Sequence, residues 1–247
     1  MTSNPAILTV ITSLRKTNID VQRQALETWR KCGFSIISVN AAEDIDVVGE
    51  HFPGVGFAID RNAKRDSSGN YYVMLDSMLA ELRHSKGRYA AIAYSDVCFS
   101  SEILPLLTNN VEESIVFGTQ ISAETLEKAT ENIWGKGFDF LFFDKKSSIH
   151  YPAADFLYGA CWWDCWLLVN SVIHNVSIKR ISEPAKYYQS QPANREADKG
   201  LVEFAHLMAR KIDATTIDRG HNVPKYYYNT MQYLWDRSIP LFGERNA

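Results

Sequence analysis

The chain has 247 residues, 46% hydrophobic and 22% charged, a composition typical of a globular protein long enough to bury a sizeable core. Its net charge of −3 and pI near 6.1 provide no long-range attraction for polyanions, so nucleic acid is not an expected partner. No segment approaches the roughly 20 apolar residues that cross a bilayer, and no basic segment precedes the first apolar run, so we expect neither a transmembrane segment nor a signal peptide. The four cysteines, which form no CxxC pair, favour a reducing cytoplasm.

Predicted strands and helices then alternate along the chain, as in a doubly wound α/β sheet. Ile7 to Thr12 is a continuous apolar and β-branched run, typical of a central parallel strand covered on both faces. Asp20 can cap a following helix, and the apolar face of that helix is predicted from Val21, Ala25, Leu26 and Trp29. Further strands are predicted at 34–39, 55–59, 89–94, 115–118, 138–143 and 178–181. Further helices are predicted at 71–84, 123–134, 162–173, 196–211 and 225–237.

Polar residues follow the predicted strands where they end. In an open α/β sheet, ligands bind outside the carboxyl ends of the strands. Those ends carry the candidate binding residues Thr12, Ser13, Arg15, Asn40, Asp60, Arg61, Ser95 and Asp96. Asp96 follows a largely apolar run, where a carboxylate must meet a cation, a hydrogen-bond donor or water. It either binds Mg²⁺ or Mn²⁺ together with a diphosphate, or caps the turn at Ser100.

Two further segments contain residues suited to binding. The loop at 61–70 contains Arg61, Lys64 and Arg65, which either pair with phosphate oxygens or are simply solvated. GACWWDCW, from Gly159, places Asp164 beside two tryptophans at the start of a predicted helix. Aromatic rings pack on the C–H faces of sugars and carboxylates bind their hydroxyls, although Asp164 could equally be a first-turn acid favoured by the helix dipole.

Several common site motifs are missing from the sequence. There is no GxGxxG after the first strand and no GxxxxGK[ST], which argues against dehydrogenases and P-loop kinases. The six histidines are dispersed, so a zinc site is unsupported, and no GxSxG elbow is present. The four cysteines form no CxxC pair and are expected to be buried free thiols.

Four segments carry a resemblance to a known family. They are ILTVITSLRKTNIDVQRQALETWRKCGFSIISVN from Ile7, YAAIAYSDVCF from Tyr89, GFDFLFF from Gly137 and WWDCW from Trp162. With the pattern QxxALxxW in the first segment and a DxD-like element in the second, they resemble small GT-A-type nucleotide-sugar glycosyltransferases. The resemblance spans Ile7 to Gln191. It implies a GT-A-like, Rossmann-like, mostly parallel sheet flanked by helices.

The resemblance also implies roles for individual residues. Thr12, Ser13 and Arg15 would line the nucleotide pocket, and Asn40 and the Asp60–Arg61 strand end would complete it; Ser95, at a strand end, and Arg65, in the charged loop, are added as donor-binding residues on the sequence pattern alone. Asp96 matches the last carboxylate of the DxD-like element, which would bridge a divalent cation, Mn²⁺ or Mg²⁺, and the donor diphosphate. Asp164 would lie on the acceptor side, where an inverting enzyme needs a base.

Two positions depart from the family pattern. The first acidic position of the DxD-like element is Tyr94, and the segment from Tyr187 to Gln191 has glutamine where a histidine metal ligand is expected. These departures weaken the expectation of a cation at Asp96. A metal-independent variant could bind the diphosphate through Arg61, Lys64 or Arg65 instead.

The expected function is a glycosyltransferase that moves a sugar from a nucleotide-sugar donor to a glycan or glycoconjugate acceptor, as in polysaccharide biosynthesis. A single domain over residues 1–247 would comprise a nucleotide-binding half at 1–120, an acceptor half at 121–191 and a helical C-terminal elaboration at 192–247. The incomplete DxD-like element leaves a second interpretation, a non-catalytic nucleotide- or carbohydrate-binding protein with the same fold. A nucleotidyltransferase ranks third, because SLRKTN lacks the glycines of its usual phosphate-binding loop.

Overall fold

The computed structural model describes residues 8–119, 121–129, 138–181, 186–189, 201–212 and 223–241. In chain order the strands are β1 (Thr9–Thr12), β2 (Ser35–Asn40), β3 (Gly56–Ile59), β4 (Lys64–Arg65), β5 (Tyr71–Tyr72), β6 (Tyr89–Ala93), β7 (Val97–Phe99), β8 (Ser114–Thr119), β9 (Phe138–Asp144), β10 (Ser177–Ile181), β11 (Tyr187–Gln189) and β12 (Ile239–Leu241). The helices are α1 (Ile19–Lys31), α2 (Ala42–Gly49), α3 (Leu75–His84), α4 (Ile103–Thr108), α5 (Leu126–Ala129), α6 (Trp163–Ile173), α7 (Leu201–Ile212) and α8 (Val223–Arg237), and a 3₁₀ helix spans Lys145–His150.

Eight of these strands form one sheet in the order β12, β10, β8, β9, β6, β1, β2, β3. Neighbouring strands are parallel except at β9, which runs antiparallel to both β6 and β8. All four residues of β1 are buried, because β1 lies between β2 and β6 near the middle of the sheet. The predicted fold class, a mostly parallel sheet flanked by helices, is confirmed.

Two small antiparallel sheets lie beside the large one. β7 pairs with β11, and β4 pairs with β5 to form a hairpin over the segment predicted as a loop. The predicted helix at 71–84 begins only at Leu75. It starts there because the buried Asp60 carboxylate accepts hydrogen bonds from Met74 N at 2.6 Å and Ser77 Oγ at 2.9 Å, which fixes the first turn of α3.

The buried face of α1 differs by one residue from the prediction. Gln22 takes the place expected for Val21 and is buried with Ala25, Leu26 and Trp29. Asp20 does not cap this helix. The cap position is Asn18, which has left-handed backbone torsions, whereas Asp20 lies exposed beside Arg23. The helix is fixed to the small sheet by Trp29 Nε1, which donates to the Val97 carbonyl at 2.7 Å.

The C-terminal region contributes more than the expected helices. α7 and α8 pack together and α8 packs on α6, but β12 also extends the large sheet by pairing with β10. Of the helices predicted at 123–134 and 196–211, residues 130–134 and 196–200 lie outside the described residues. The described helices include none that is both long and apolar enough to cross a membrane. All four cysteines are free, and Cys161 alone among them is only half-buried.

Candidate functional site

A polar cleft of about 300 Å³ lies at the carboxyl ends of β1 and β2. Its walls come from the β1–α1 loop, the start of α2, the β4–β5 hairpin and the turn after Leu157. The residues that matter for its chemistry are Ser13, Arg15, Lys16, Asn40, Asp44, Tyr71, Tyr72, Tyr158 and Gly159. The structure therefore brings the predicted residues Ser13, Arg15 and Asn40 together in one cleft.

The β1–α1 loop is held in place by the buried amide of Gln22. Its Oε1 accepts hydrogen bonds from Arg15 N at 2.8 Å and from Ser95 Oγ at 3.0 Å. Its Nε2 donates to the carbonyls of Arg15 at 2.9 Å and Thr17 at 2.7 Å. These four bonds use the whole hydrogen-bonding capacity of an amide side chain. The predicted residue Ser95 thus supports the loop and does not line the cleft.

Asn40 positions the same loop from the neighbouring strand. Its Nδ2 donates to the Leu14 carbonyl at 2.8 Å, and Leu14 N donates to Ser38 Oγ at 2.9 Å. The Ser38 hydroxyl donates in turn to Asn40 Oδ1 at 2.5 Å. Because both ends of this chain of bonds are buried, the backbone that follows β1 is fixed before any ligand enters.

Two cationic side chains of the loop, Arg15 and Lys16, line the cleft and differ in their surroundings. Lys16 Nζ lies 2.6 Å from Asp44 Oδ1 and is therefore neutralised locally. The Arg15 guanidinium reaches across to Gly159, where a Cβ atom would come within 3.1 Å of Nη2. Gly159 has φ +89°, which disfavours a side chain, so a glycine there leaves room for the guanidinium.

Tyr158 connects the cleft to the end of β6. Its hydroxyl donates to the Ala93 carbonyl at 2.6 Å, and its ring centroid lies 5.3 Å from that of Tyr94 and 4.9 Å from that of Trp163. Burial raises the pKa of Tyr158, and Arg15 and Asp96 are both among its electrostatic neighbours. The cleft and Asp96 therefore adjoin at this ring, although Asp96 itself lines no part of the cleft.

Asp96 is half-buried and is contacted by a side-chain amide. Gln189 Nε2 donates to Asp96 Oδ2 at 2.6 Å, across the small sheet of β7 and β11. Tyr94, which stands where a second carboxylate was expected, accepts a hydrogen bond from Trp163 Nε1 at 2.8 Å. Within the described residues, no three His, Cys, Asp or Glu side chains converge as metal ligands.

Asp164 is almost fully buried in the first turn of α6. Burial raises the pKa of Asp164 to about 6. The nearby Asp139 raises it further, whereas hydrogen bonds from the backbone N–H groups of Cys165 and Phe138 lower it. Cys165 N lies 2.8 Å from Asp164 Oδ1. The carboxylate is thus poised to gain or lose a proton near neutral pH, but it lines neither the cleft nor the cavity beside it.

A second cavity, of about 750 Å³, shares Tyr72 and Gly159 with the cleft. Its wall combines cationic, acidic and aromatic side chains, namely Lys64, Arg65, Asp66, Asp76, Asp155, Glu203, Tyr72 and Phe204. The predicted residue Arg65 belongs here, with its guanidinium 5.6 Å from the Tyr71 ring centroid. Of the other predicted residues, Arg61 is exposed, and Thr12 and Asp60 are buried; none of the three lines either cavity.

Sequence reasoning missed three residues that organise this site. Gln22 had a detectable signal, since a polar residue occupied an apolar helix position three and four residues before Ala25 and Leu26. Gln189 lies in the segment noted for glutamine in place of a histidine ligand, but its contact with Asp96, 93 residues away, could not be read from the sequence. Tyr158 had no signal, because its partner, the Ala93 carbonyl, lies 65 residues away.

Comparison with known proteins supports the fold. No protein-family model matches this sequence, and no curated protein matches it either. Residues 1–349 of TarS from S. aureus, in complex with UDP-GlcNAc, superpose with a TM-score of 0.54 at 11% identity, over 94% of this chain and 72% of that one. At this identity, the likeness establishes a shared fold.

Two other solved structures align with lower scores. The inositol-1-phosphate CTP transferase of T. maritima has a TM-score of 0.45 at 12% identity, over 87% of this chain and 99% of that one. The glucosyl-3-phosphoglycerate synthase of Mycobacterium tuberculosis, in complex with Mn²⁺, UDP and phosphoglyceric acid, has a TM-score of 0.45 at 12% identity, over 71% and 68% of the two chains.

Replacing Gln22 by alanine should destabilise the protein through the loop. Gln22→Ala removes the partners of Arg15 N and the Ser95 hydroxyl, and a buried polar group left unsatisfied costs about 1–3 kcal/mol. We expect a drop of that size in the free energy of unfolding measured by urea denaturation. Lys31→Ala, at the exposed end of the same helix, should change it by no more than about 0.5 kcal/mol. Equal effects of the two substitutions would contradict the role given to Gln22.

The raised pKa of Asp164 should appear in the pH dependence of stability. The folded state holds this proton more tightly than the unfolded chain, so its stabilising effect is complete below about pH 4 and is lost as pH rises through about 6. Between those limits, the free energy of unfolding of Asp164→Asn should therefore rise relative to that of wild type by on the order of 3 kcal/mol. Urea denaturation from pH 4 to 8 measures the gap, with the exposed Asp20→Asn as the control. A gap that stays constant with pH would refute the raised pKa.

Proposed function

We propose that the chain is a glycosyltransferase that moves a sugar from a nucleotide-sugar donor to a glycan or glycoconjugate acceptor, as in polysaccharide biosynthesis. The observation that carries this proposal is the polar cleft at the carboxyl ends of β1 and β2, with Arg15 directed into it and a larger cavity beside it. Carboxyl strand ends are where open α/β sheets bind nucleotides. The fold shared with TarS supports the proposal without fixing the activity.

The cleft suits the nucleoside diphosphate part of the donor. Asn40 and the tyrosines Tyr71 and Tyr72 provide amide, hydroxyl and ring surfaces for a base and ribose. Arg15 provides a planar guanidinium that can bind two phosphate oxygens at once. Ser13, in the same loop, adds a hydroxyl. We therefore place the nucleoside near Asn40 and the diphosphate near Arg15.

The larger cavity suits a sugar. Its carboxylates, among them Asp76 and Glu203, can accept hydrogen bonds from sugar hydroxyls, and Tyr72 and Phe204 offer rings for C–H faces. Because Tyr72 and Gly159 line both spaces, a nucleotide in the cleft would direct its sugar toward this cavity. The donor site would thus draw on both of the predicted halves, 1–120 and 121–191.

Asp164 is the proposed general base. A base works best when its pKa lies near the working pH, and burial gives Asp164 a pKa of about 6. Proton abstraction from an acceptor hydroxyl would require the acceptor to reach the first turn of α6, where Trp163 and Asp164 lie. The resemblance implies a divalent cation at Asp96, a residue that accepts a hydrogen bond from Gln189.

The second candidate is a non-catalytic protein that binds a nucleotide or a carbohydrate. A specific observation favours it, namely that Asp96 and Asp164 line neither of the two cavities. A ligand held in the cleft would then meet binding groups without a reacting carboxylate. The two candidates share the nucleotide site and differ in whether the donor is turned over.

Nucleotide binding should depend on Arg15. We expect one of UDP, GDP, CDP, dTDP or CMP to raise the thermal unfolding temperature, since a ligand at 100 times its Kd adds about 2.7 kcal/mol of stability. Arg15→Ala should weaken that binding by about 10- to 100-fold, the loss of a hydrogen bond to a charged group. Arg61→Ala, which removes an exposed arginine outside both cavities, should not. If no nucleotide shifts the wild type, or if both variants behave alike, the donor site proposed here is wrong.

Turnover should depend on Asp164. Wild type incubated with nucleotide sugars should release the nucleoside diphosphate. Release should be slow when water accepts the sugar and faster when a glycan accepts it. Asp164→Asn should lower that rate by about 100-fold or more, the usual contribution of a general base, while its affinity for the nucleotide stays unchanged. Nucleotide binding with no release from any donor would favour the non-catalytic candidate.

A further inference from the structure

We infer that this site binds its diphosphate without a divalent cation at Asp96, where the Gln189 amide donates a hydrogen bond to one carboxylate oxygen, Oδ2. The inference rests on the proposed function, because it concerns the same donor. It differs from the resemblance, which implies a metal ligand at Asp96. Three features of the described residues carry it: the orientation of the Gln189 amide, the rigidity of its strand and the small number of carboxylates at the end of β6.

The orientation of the amide is set by the carboxylate. Gln189 Nε2 lies 2.6 Å from Asp96 Oδ2. An ionised carboxylate only accepts hydrogen bonds, so the amide must present its N–H and not its oxygen. To ligate a cation through Oε1, the amide would have to turn over and direct that oxygen at Asp96. As it stands, the contact gives Asp96 Oδ2 a neutral hydrogen-bond donor.

The backbone of Gln189 is fixed on both sides. On one side it pairs with Val97 in the register of β11 and β7. On the other, Gln189 N donates to the Ile121 carbonyl at 2.7 Å, and Ala123 N donates to the Gln189 carbonyl at 3.1 Å. The side chain is only 1% exposed. The amide is therefore built into the protein and does not belong to a loose surface group.

The end of β6 offers a single carboxylate. Of the three residues that follow this strand, Tyr94 accepts a hydrogen bond from Trp163 and packs in a buried aromatic group, and Ser95 donates to Gln22. Only Asp96 carries a carboxylate. Mg²⁺ needs about six oxygen ligands in near-ideal geometry. In the part of the chain that the structure describes, no three acidic, histidine or cysteine side chains converge, so most ligands of a cation at Asp96 would have to be water or donor phosphate oxygens.

Arg15 provides positive charge for the diphosphate in place of a metal. Among the described residues, no carboxylate lies within ion-pair distance of its guanidinium, whereas Lys16 is paired with Asp44. An arginine retains its charge at any physiological pH and binds two phosphate oxygens in a fixed geometry. Gln22 holds the backbone of Arg15, so this arginine is positioned at the cleft before a diphosphate binds.

Calorimetric titration of wild type with UDP, GDP, CDP and dTDP, each with Mn²⁺, with Mg²⁺ and with EDTA, tests the inference. We expect the Kd of the nucleotide that binds to stay within about threefold across the three conditions. A Kd that weakens by about tenfold or more in EDTA overturns the inference and leaves the proposed function standing. No binding of any nucleotide in any condition, by folded protein, overturns both.

Gln189→Glu provides the converse test, because it keeps the shape of the side chain and replaces the amide by a second carboxylate. Two carboxylates in contact repel each other unless a proton or a cation lies between them. The variant should therefore have a lower unfolding temperature in EDTA that Mn²⁺ restores, whereas wild type and the matched control Gln24→Glu should be indifferent to Mn²⁺. Stabilisation of wild type by Mn²⁺ alone, equal to that of the variant, contradicts the inference even if the variant is too unstable to bind nucleotide.

Discussion

The four hydrogen bonds of the buried Gln22 amide are the constraint on which the rest of the site depends. They join the backbone of Arg15 and Thr17 to the end of β6 through Ser95. A loop after a central strand would otherwise leave polar groups buried without partners, at about 1–3 kcal/mol each. By satisfying them with one side chain of α1, the fold holds the backbone of this loop at Arg15 and Thr17.

That rigidity determines the chemistry available at the strand ends. A cation whose backbone is already fixed loses less conformational entropy when it binds an anion than one on a mobile loop. Arg15 is in this state, and Gly159 leaves the space that its guanidinium occupies. Asp96 is fixed by the same logic, since an amide from a strand pinned on both sides contacts it. The fold thus fixes the backbone of Arg15 at the cleft and the amide that contacts Asp96 beside it.

The sequence predicted the sheet well because its strands are short apolar runs that end in polar residues, and parallel strands place those ends at one edge. Ser13, Arg15 and Asn40 were found for that reason. Asp60 lies at the predicted strand end, but its carboxylate faces the first turn of α3, because Met74 N and Ser77 Oγ donate hydrogen bonds to it. The hairpin of β4 and β5, the small sheet of β7 and β11, and the contacts of Tyr158 and Gln189 depend on partners distant in sequence, which no local pattern reveals.

The central claim is that the cleft between the β1–α1 loop and the β4–β5 hairpin is a nucleotide site. The most direct test is a crystal structure of the chain grown with the nucleoside diphosphate that stabilises it most. We expect the diphosphate against the Arg15 guanidinium and the nucleoside between Asn40 and Tyr72. A nucleotide bound elsewhere, or an empty cleft at a saturating concentration, would contradict it.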